Sequence, residues 1–192
     1  MRRPSTAALT GSALSSRTAQ AGFRSLIKSI QRGSIVIGNT ASSNTATITA
    51  VSTANADLSL VSSSSDATVD KWDCVFGHLA LTNATTITAT RTGTTGDNQT
   101  YVYEVIEYWP GVIKQVQRGT IALTGVGSNT ATITTVNTSK ARLNCLGFLC
   151  TELSVPNRIM TRIELTNATT ITATRAVGTN NVTIGYQVVE FY

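Results

Sequence analysis

Residues Leu81–Arg91 read LTNATTITATR, and the same eleven residues recur at Leu165–Arg175. Upstream, Ile27–Ile35 (IKSIQRGSI) matches Ile113–Ile121 (IKQVQRGTI), and Asn44–Thr49 (NTATIT) matches Asn129–Thr134. Each copy closes alike, with Tyr103–Trp109 (YEVIEYW) set against Tyr186–Tyr192 (YQVVEFY). The offset drifts from 86 to 83 residues along the copy, which places small insertions in the turns between matched segments. Four matches in one order mark an internal duplication, and each copy must find a partner for its own apolar face.

The boundary follows from the duplication. Trp109 ends the first copy and Pro110-Gly111, a turn or linker signal, precedes the second. The expected organisation is a basic, flexible arm over 1–24, a first module over 25–109, a Pro-Gly linker at 110–111 and a second module over 112–192. Within each copy apolar and polar residues alternate with a period of two, clearest in Thr130–Thr135 and Thr169–Thr174 with Thr on the solvent side. The expectation is an all-β chain of two tandem homologous antiparallel β-sandwich or small-barrel modules, preceded by an extended N-terminal arm. Each module needs six or seven strands. Glycines 33, 38, 119, 125 and 127 read as turn residues. A weak amphipathic pattern over Ala19–Ile30 allows one short helix at the end of the arm.

Composition agrees with this reading. Only 13% of residues are charged, about half the usual share, and Thr, Ser, Asn and Ala replace them. Such residues suit pleated surfaces and turns. The net charge of +5 is concentrated near the start, where Arg2, Arg3, Arg17, Arg24, Lys28 and Arg32 precede the first acid, Asp57. The remaining nine basic residues face ten acidic ones, so the body is electrically balanced. No apolar run approaches the roughly 20 residues of a membrane helix. The start lacks the continuous apolar stretch of a secretory signal, and a transit peptide ranks behind a docking arm and a disordered tail. The three cysteines, Cys74, Cys145 and Cys150, are not at matched positions, which favours free, mostly buried thiols in a reducing compartment.

Candidate chemistry is sparse. His78, the single histidine, would have to serve any Ser–His or Cys–His site. On an unbroken strand, Cys74 lies about 13 Å from it at roughly 3.3 Å per residue. Aligning the copies sets Arg158 and Arg162 opposite Cys74 and His78, so the pair is not duplicated, and a satisfied structural histidine is the preferred reading. One His and scattered Cys give no zinc spacing, and no cofactor is expected. Glu104 and Glu107, at odd spacing, should point to opposite faces of a strand. Glu107 and its match Glu190 read as solvent-facing or inter-subunit acids, paired with the matched arginines Arg32/Arg118 and Arg91/Arg175. The Asn-X-Thr/Ser triplets at Asn83, Asn98, Asn137, Asn167 and Asn181 are what an Asn- and Thr-rich chain produces by chance. The aromatics gather at the ends of the copies, as carbohydrate platforms or as packing at the junction.

The segments at 27–35, 45–49, 82–91 and 103–108 together resemble a module of tailed-bacteriophage structural proteins. The resemblance covers both copies and excludes the arm. It implies a non-enzymatic virion component, assembled in the host bacterial cytoplasm, with no catalytic residue to carry over. Hydroxyl-rich β-modules with a basic extension look similar to capsid decoration (cement) proteins. On that reading Arg2, Arg3, Arg17 and Arg24 of the arm bind the major capsid protein or another virion protein, ordering on contact. The modules then cover inter-subunit seams, stabilised by mass action on the lattice.

Size points the same way. A domain of about 80 residues buries only about 60–65% of the surface its chain exposes, so the modules gain from each other, from homo-oligomerisation or from docking. A tail, fibre or neck component contacting host glycans is the second reading. An enzyme using His78 or Glu107 ranks last. Membrane partners are not expected, and the arm lacks the interleaved aromatics that would stack nucleic-acid bases.

Overall fold

The computed structural model describes residues 25–66, 76–94, 97–151, 158 and 160–192. Arg2, Arg3, Arg17, Arg24 and Cys74 lie outside the described residues. The chain is all-β. Strands run β1 (Ile27–Ile37), β2 (Ser43–Thr47), β3 (Ala56–Ser65), β4 (Gly77–Asn83), β5 (Thr86–Arg91) and β6 (Gln99–Tyr108). The order then repeats as β7 (Ile113–Thr124), β8 (Ser128–Thr132), β9 (Ala141–Cys150), β10 (Thr161–Asn167), β11 (Thr170–Arg175) and β12 (Asn181–Phe191). A 3-10 turn, Thr53–Asn55, precedes β3. The proposed helix over Ala19–Ile30 is corrected in its described part: Ile27–Ile30 already belong to β1, because Ile27 and Ile30 pair with Tyr108 and Ile106.

The pairing is antiparallel throughout the strand ladders and repeats between halves. In the first half β1-β6-β3 form one sheet and β2-β5-β4 the other; in the second half β7-β12-β9 and β8-β11-β10 do the same. Ile35, Ile37, Leu58, Leu79, Ile87, Tyr101 and Val105 close one core between the first pair of sheets. Ile121, Leu123, Ile171, Val182, Ile184 and Val188 close the other. These are the inward members of the alternating runs, a pattern that a one-residue register slip would turn inside out.

The exactly repeated eleven residues form the hairpins β4–β5 and β10–β11. Asn83 Oδ1 accepts the Thr85 amide at 2.9 Å, and Asn167 Oδ1 accepts the Thr169 amide at the same distance. These side-chain turns explain why Asn stands there. Beyond the turn, Ile87/Ile171 and Ala89/Ala173 are fully buried, while the intervening threonines are half-buried.

Gly33 and Gly119 are not turn residues. They sit mid-strand in β1 and β7, where the rings of Tyr103 and Tyr186 cross them. A Cβ would fall 2.5 Å from the Tyr103 hydroxyl at Gly33 and 2.6 Å from the Tyr186 hydroxyl at Gly119. Glycine is required there by close approach. Gly125 and Gly111, by contrast, have positive φ (66° and 87°), as a turn demands.

Candidate functional site: the junction between the halves

Four polar devices appear twice, and all of them tie strands together. Gln31 donates to the Thr49 carbonyl and accepts the Thr49 amide (2.9 and 2.7 Å), so its side chain acts as a short piece of strand. Gln117 does the same with Thr134 (2.8 and 2.6 Å). Asn44 and Asn129 each donate to a carbonyl of the neighbouring long strand, Val36 and Ala122, at 2.7 Å.

Glu107 and Glu190 are buried, not solvent-facing. Glu107 accepts from Lys28 Nζ (2.9 Å), Ser29 Oγ (3.3 Å) and the Ser52 amide (2.9 Å). Glu190 accepts from Lys114 Nζ (3.0 Å), the Gln115 side-chain amide (2.6 Å) and the Asn137 amide (2.8 Å). Burial pushes both carboxyls up, but these donors outweigh it and hold both below the ordinary carboxylate range. Their basic partners are the matched lysines, not the matched arginines. Glu104 does face away from Glu107, as its spacing requires, and pairs with Arg32 at 2.6 Å.

Arg91 and Arg175 each hold a set of backbone carbonyls. Arg91 donates to Ala41, Asp97 and Gly38 (3.0, 2.7 and 2.8 Å). Arg175 donates to Val126, Arg158 and Leu123 (3.0, 2.7 and 2.9 Å) and also to Asn180. A planar fork with five N–H donors suits loop carbonyls converging from several sides.

The constellation that occurs once lies where the halves meet. The first half presents a side, made of the Thr53–Asn55 turn, β3 and β4, to the outer face of the β7-β12-β9 sheet. β12 is consequently buried on both faces, whereas its counterpart β6 alternates buried and half-buried. At the centre, Asp57 accepts from Arg142 Nη1 (2.7 Å), Asn144 Nδ2 (2.6 Å) and Gln187 Nε2 (2.6 Å). Gln187 Oε1 in turn accepts from Arg118 Nε at 2.7 Å. Arg118 also reaches the Thr53 and Ala56 carbonyls (3.0 and 2.6 Å). Burial pushes the Asp57 carboxyl above its usual range, and Arg142 and the two amides offset only part of that. The same burial pushes the Arg118 guanidinium down, with Asp57 opposing it.

Apolar groups cross the junction in both directions. Leu146, 3% exposed, belongs to the first half's core, and Phe76 packs against the second half's core, stacked on Phe148 with ring centroids 4.6 Å apart. His78 pairs with Gly147 and joins β4 to β9, making a continuous six-stranded sheet β2-β5-β4-β9-β12-β7. The close approach uses glycine: a Cβ at Gly147 would strike the Gly77 carbonyl, and one at Gly185 would lie 3.1 Å from the His78 ring. His78 is thus an interface residue. Its Nδ1 is buried with no hydrogen-bond partner among the described residues, so it is not the satisfied histidine expected, and burial pushes its pKa down.

A crevice of about 200 Å³ runs along this seam between His78–Leu81 and Arg118–Thr120. That is below the usual range of small-molecule sites, about 300–1,000 Å³. Among the described residues no group of three His, Cys, Asp or Glu side chains is placed to hold a metal ion, and no helix is long and apolar enough to cross a membrane. Cys145 and Cys150 carry no disulfide; Cys150 is buried and Cys145 exposed.

Sequence reasoning missed Asp57, Arg142, Asn144 and Gln187. The signal was present as divergence. Asp57 and Arg142 occupy one position in the two copies, opposite Ile106 and Val189, and Glu104 and Gln187 occupy another, each following the matched tyrosine. Charge differs between the copies where they touch. No protein-family model, no curated protein and no solved structure matches this chain.

Proposed function

We propose that this chain is a non-enzymatic structural protein of a tailed-bacteriophage particle, a capsid decoration (cement) protein that binds the assembled capsid and stabilises contacts between its subunits. The observation that carries this reading is the division of labour among buried polar groups. Those present twice (Gln31/Gln117, Glu107/Glu190, Arg91/Arg175) bind strands and loops, and the cluster present once joins the halves. Duplication has multiplied a scaffold and its surfaces. The resemblance of segments 27–35, 45–49, 82–91 and 103–108 to phage structural modules supplies the setting.

The anchor on this reading is the arm, with Arg2, Arg3, Arg17 and Arg24 against an acidic virion surface. Co-sedimentation of the full chain and of a chain lacking Met1–Arg24 with assembled capsids tests it. The truncated chain should lose most of its binding, and still more so at low salt where surface charge matters most. Equal binding by both chains rules the arm out as anchor, and no binding by either rules out the decoration role.

A second reading, a tail, fibre or neck component that contacts glycans, draws on one feature. Leu26, Trp109 and Tyr192 are exposed, and Leu26 and Trp109 line a groove with Ser25, Ile27 and Pro110–Val112. Exposed rings beside a groove suit sugar faces. Reproducible hits on a glycan array, lost in Trp109→Ala, would favour it.

A further inference from the structure

His78 is the only ionisable side chain of β4, and it stands where the chain departs from its own repeat. The matched position in the second half is Arg162 of β10, since His78 lies opposite Thr90 as Arg162 lies opposite Thr174. The Arg162 side chain is 68% exposed. His78 instead meets the other half. It pairs with Gly147 of β9, and its ring lies so close to β12 that a Cβ on Gly185 would come within 3.1 Å of it.

The ring is packed for its neutral form. Nδ1 is buried and has no hydrogen-bond partner among the described residues. A neutral imidazole keeps its one proton on one nitrogen, so a proton on Nε2 leaves Nδ1 a bare lone pair. A second proton would put a buried N–H on Nδ1 with no acceptor, and a positive charge with it. Desolvation of that charge holds the His78 pKa below its ordinary 6.5.

Among the described residues no neighbouring acid is free to take up that charge. The crevice at His78 is lined by Arg118 of β7 and Tyr186 of β12, with glycine, threonine and aliphatic residues between them. On β5, Thr90 lies opposite His78, and the next residue, Arg91, is buried and binds loop carbonyls. β9 brings Cys145 and Arg142, and Arg142 is held by Asp57 of β3. Asp57 is already shared with Asn144 and Gln187, and Glu190 of β12 with Lys114 and Gln115. The charged group that shares the crevice with a protonated His78 is therefore Arg118, of like sign.

We propose that His78 is a proton-operated latch on the junction: protonating it parts β4 of the first half from β9 and β12 of the second, while the strand ladders within each half stay paired. Parting the strands hands the ring to water, which solvates the charge that the closed junction cannot. The ratio of open to closed junctions is level above pH 6.5, rises by up to about tenfold per pH unit below it, and levels again below the lowered pKa. Asp57 acts in the opposite sense, because its raised pKa favours the closed form as pH falls, so the opening belongs to His78. The inference does not depend on the virion reading.

Hydrogen exchange of the full chain, followed from about pH 7.5 to about pH 5.5 and divided at each pH by the intrinsic exchange rate, tests it. In the wild-type chain the amides of β4 and β9 should lose protection by up to about tenfold per unit below pH 6.5. Those of β8 and β11, which pair only within the second half, should keep theirs. H78Q and H78N carry a neutral side chain at every pH, and circular dichroism checks their fold. In both, protection of β4 and β9 should stay level or rise as pH falls. Level protection of β4 and β9 in the wild-type chain overturns the proposal. So does an equal fall in either variant, and so does a fall shared by β8 and β11, which marks unfolding of the whole chain.

Discussion

Tyr108 and Phe191 hold the same position in the two copies and touch each other, edge to face, with ring centroids 5.7 Å apart and planes at 81°. Asp57 and Arg142 likewise share a position and form an ion pair at 2.7 Å. Equivalent residues meet only near the axis that relates their copies. The contacts further out are unlike on the two sides, with Arg118 on Thr53 and His78 on Gly147. The axis relating the halves therefore passes near these pairs, and the contacts lose that symmetry further out.

The centre of that junction sets the first prediction. Asp57→Ala leaves Asn144, Gln187 and Arg142 without their shared acceptor. Removing one partner of a buried charged network costs about 3–5 kcal/mol, and the half-exposed Arg142 regains water, so about 2 kcal/mol is expected here. Asp57→Asn keeps an oxygen for the two amides and should cost less. Urea titration of both variants checks the order.

The arginines that hold loops set the second. Arg91→Met strands three carbonyls, at about 1–3 kcal/mol each when buried, so a loss of at least about 3 kcal/mol is expected. Arg91→Lys should recover little, because an ammonium cannot present the flat fork. Arg175→Met and Arg175→Lys should behave alike, since the arrangement is duplicated. Thermal unfolding of the four variants measures this.

As pH drops, stability should begin to fall at two points. His78 has a lowered folded pKa, so the unfolded chain binds its proton first. Its contribution is complete above the ordinary value of 6.5 and is lost as pH falls from there toward the lowered value. Each unit within that window costs about 1.4 kcal/mol. Glu107 and Glu190 are also lowered, from an ordinary 4.5, so their contribution is intact above that value and lost below it. Asp57, raised, acts in the opposite sense, since the folded chain takes up its proton first and gains as pH falls through the raised value. In a His78→Gln chain the first loss should vanish while the steep fall below 4.5 remains. Denaturant midpoints across pH separate the two.

Gly33 sets the fourth. Gly33→Ala places a methyl against the Tyr103 hydroxyl, and overpacking of this kind costs about 1–3 kcal/mol. Tyr103→Phe removes the hydroxyl, so the double substitution should recover part of the loss. A double-mutant cycle with a favourable coupling energy supports the contact; additive losses contradict it.

Much of the fold is legible in the residues alone. The duplication, the period of two and the Asn-capped hairpins place strands and turns because those features are local, encoded within a few residues of each other. The glycines of β1 and β7 misled, since a glycine reserved for a crossing tyrosine looks like a turn glycine until the tyrosine is placed. Glu107 and Glu190 misled for a related reason: the lysines and amides that allow their burial come from segments far away in the chain.

By itself the sequence determined that one β unit was built twice, because repetition and alternation are properties of a string. It could not determine how the two units meet. That depended on which face each sheet turned outward, on the close approach allowed by Gly77, Gly147 and Gly185, and on Asp57 finding Arg142, Asn144 and Gln187 across about 85–130 residues of chain. Such contacts carry no local signature, so only the tertiary structure decided them.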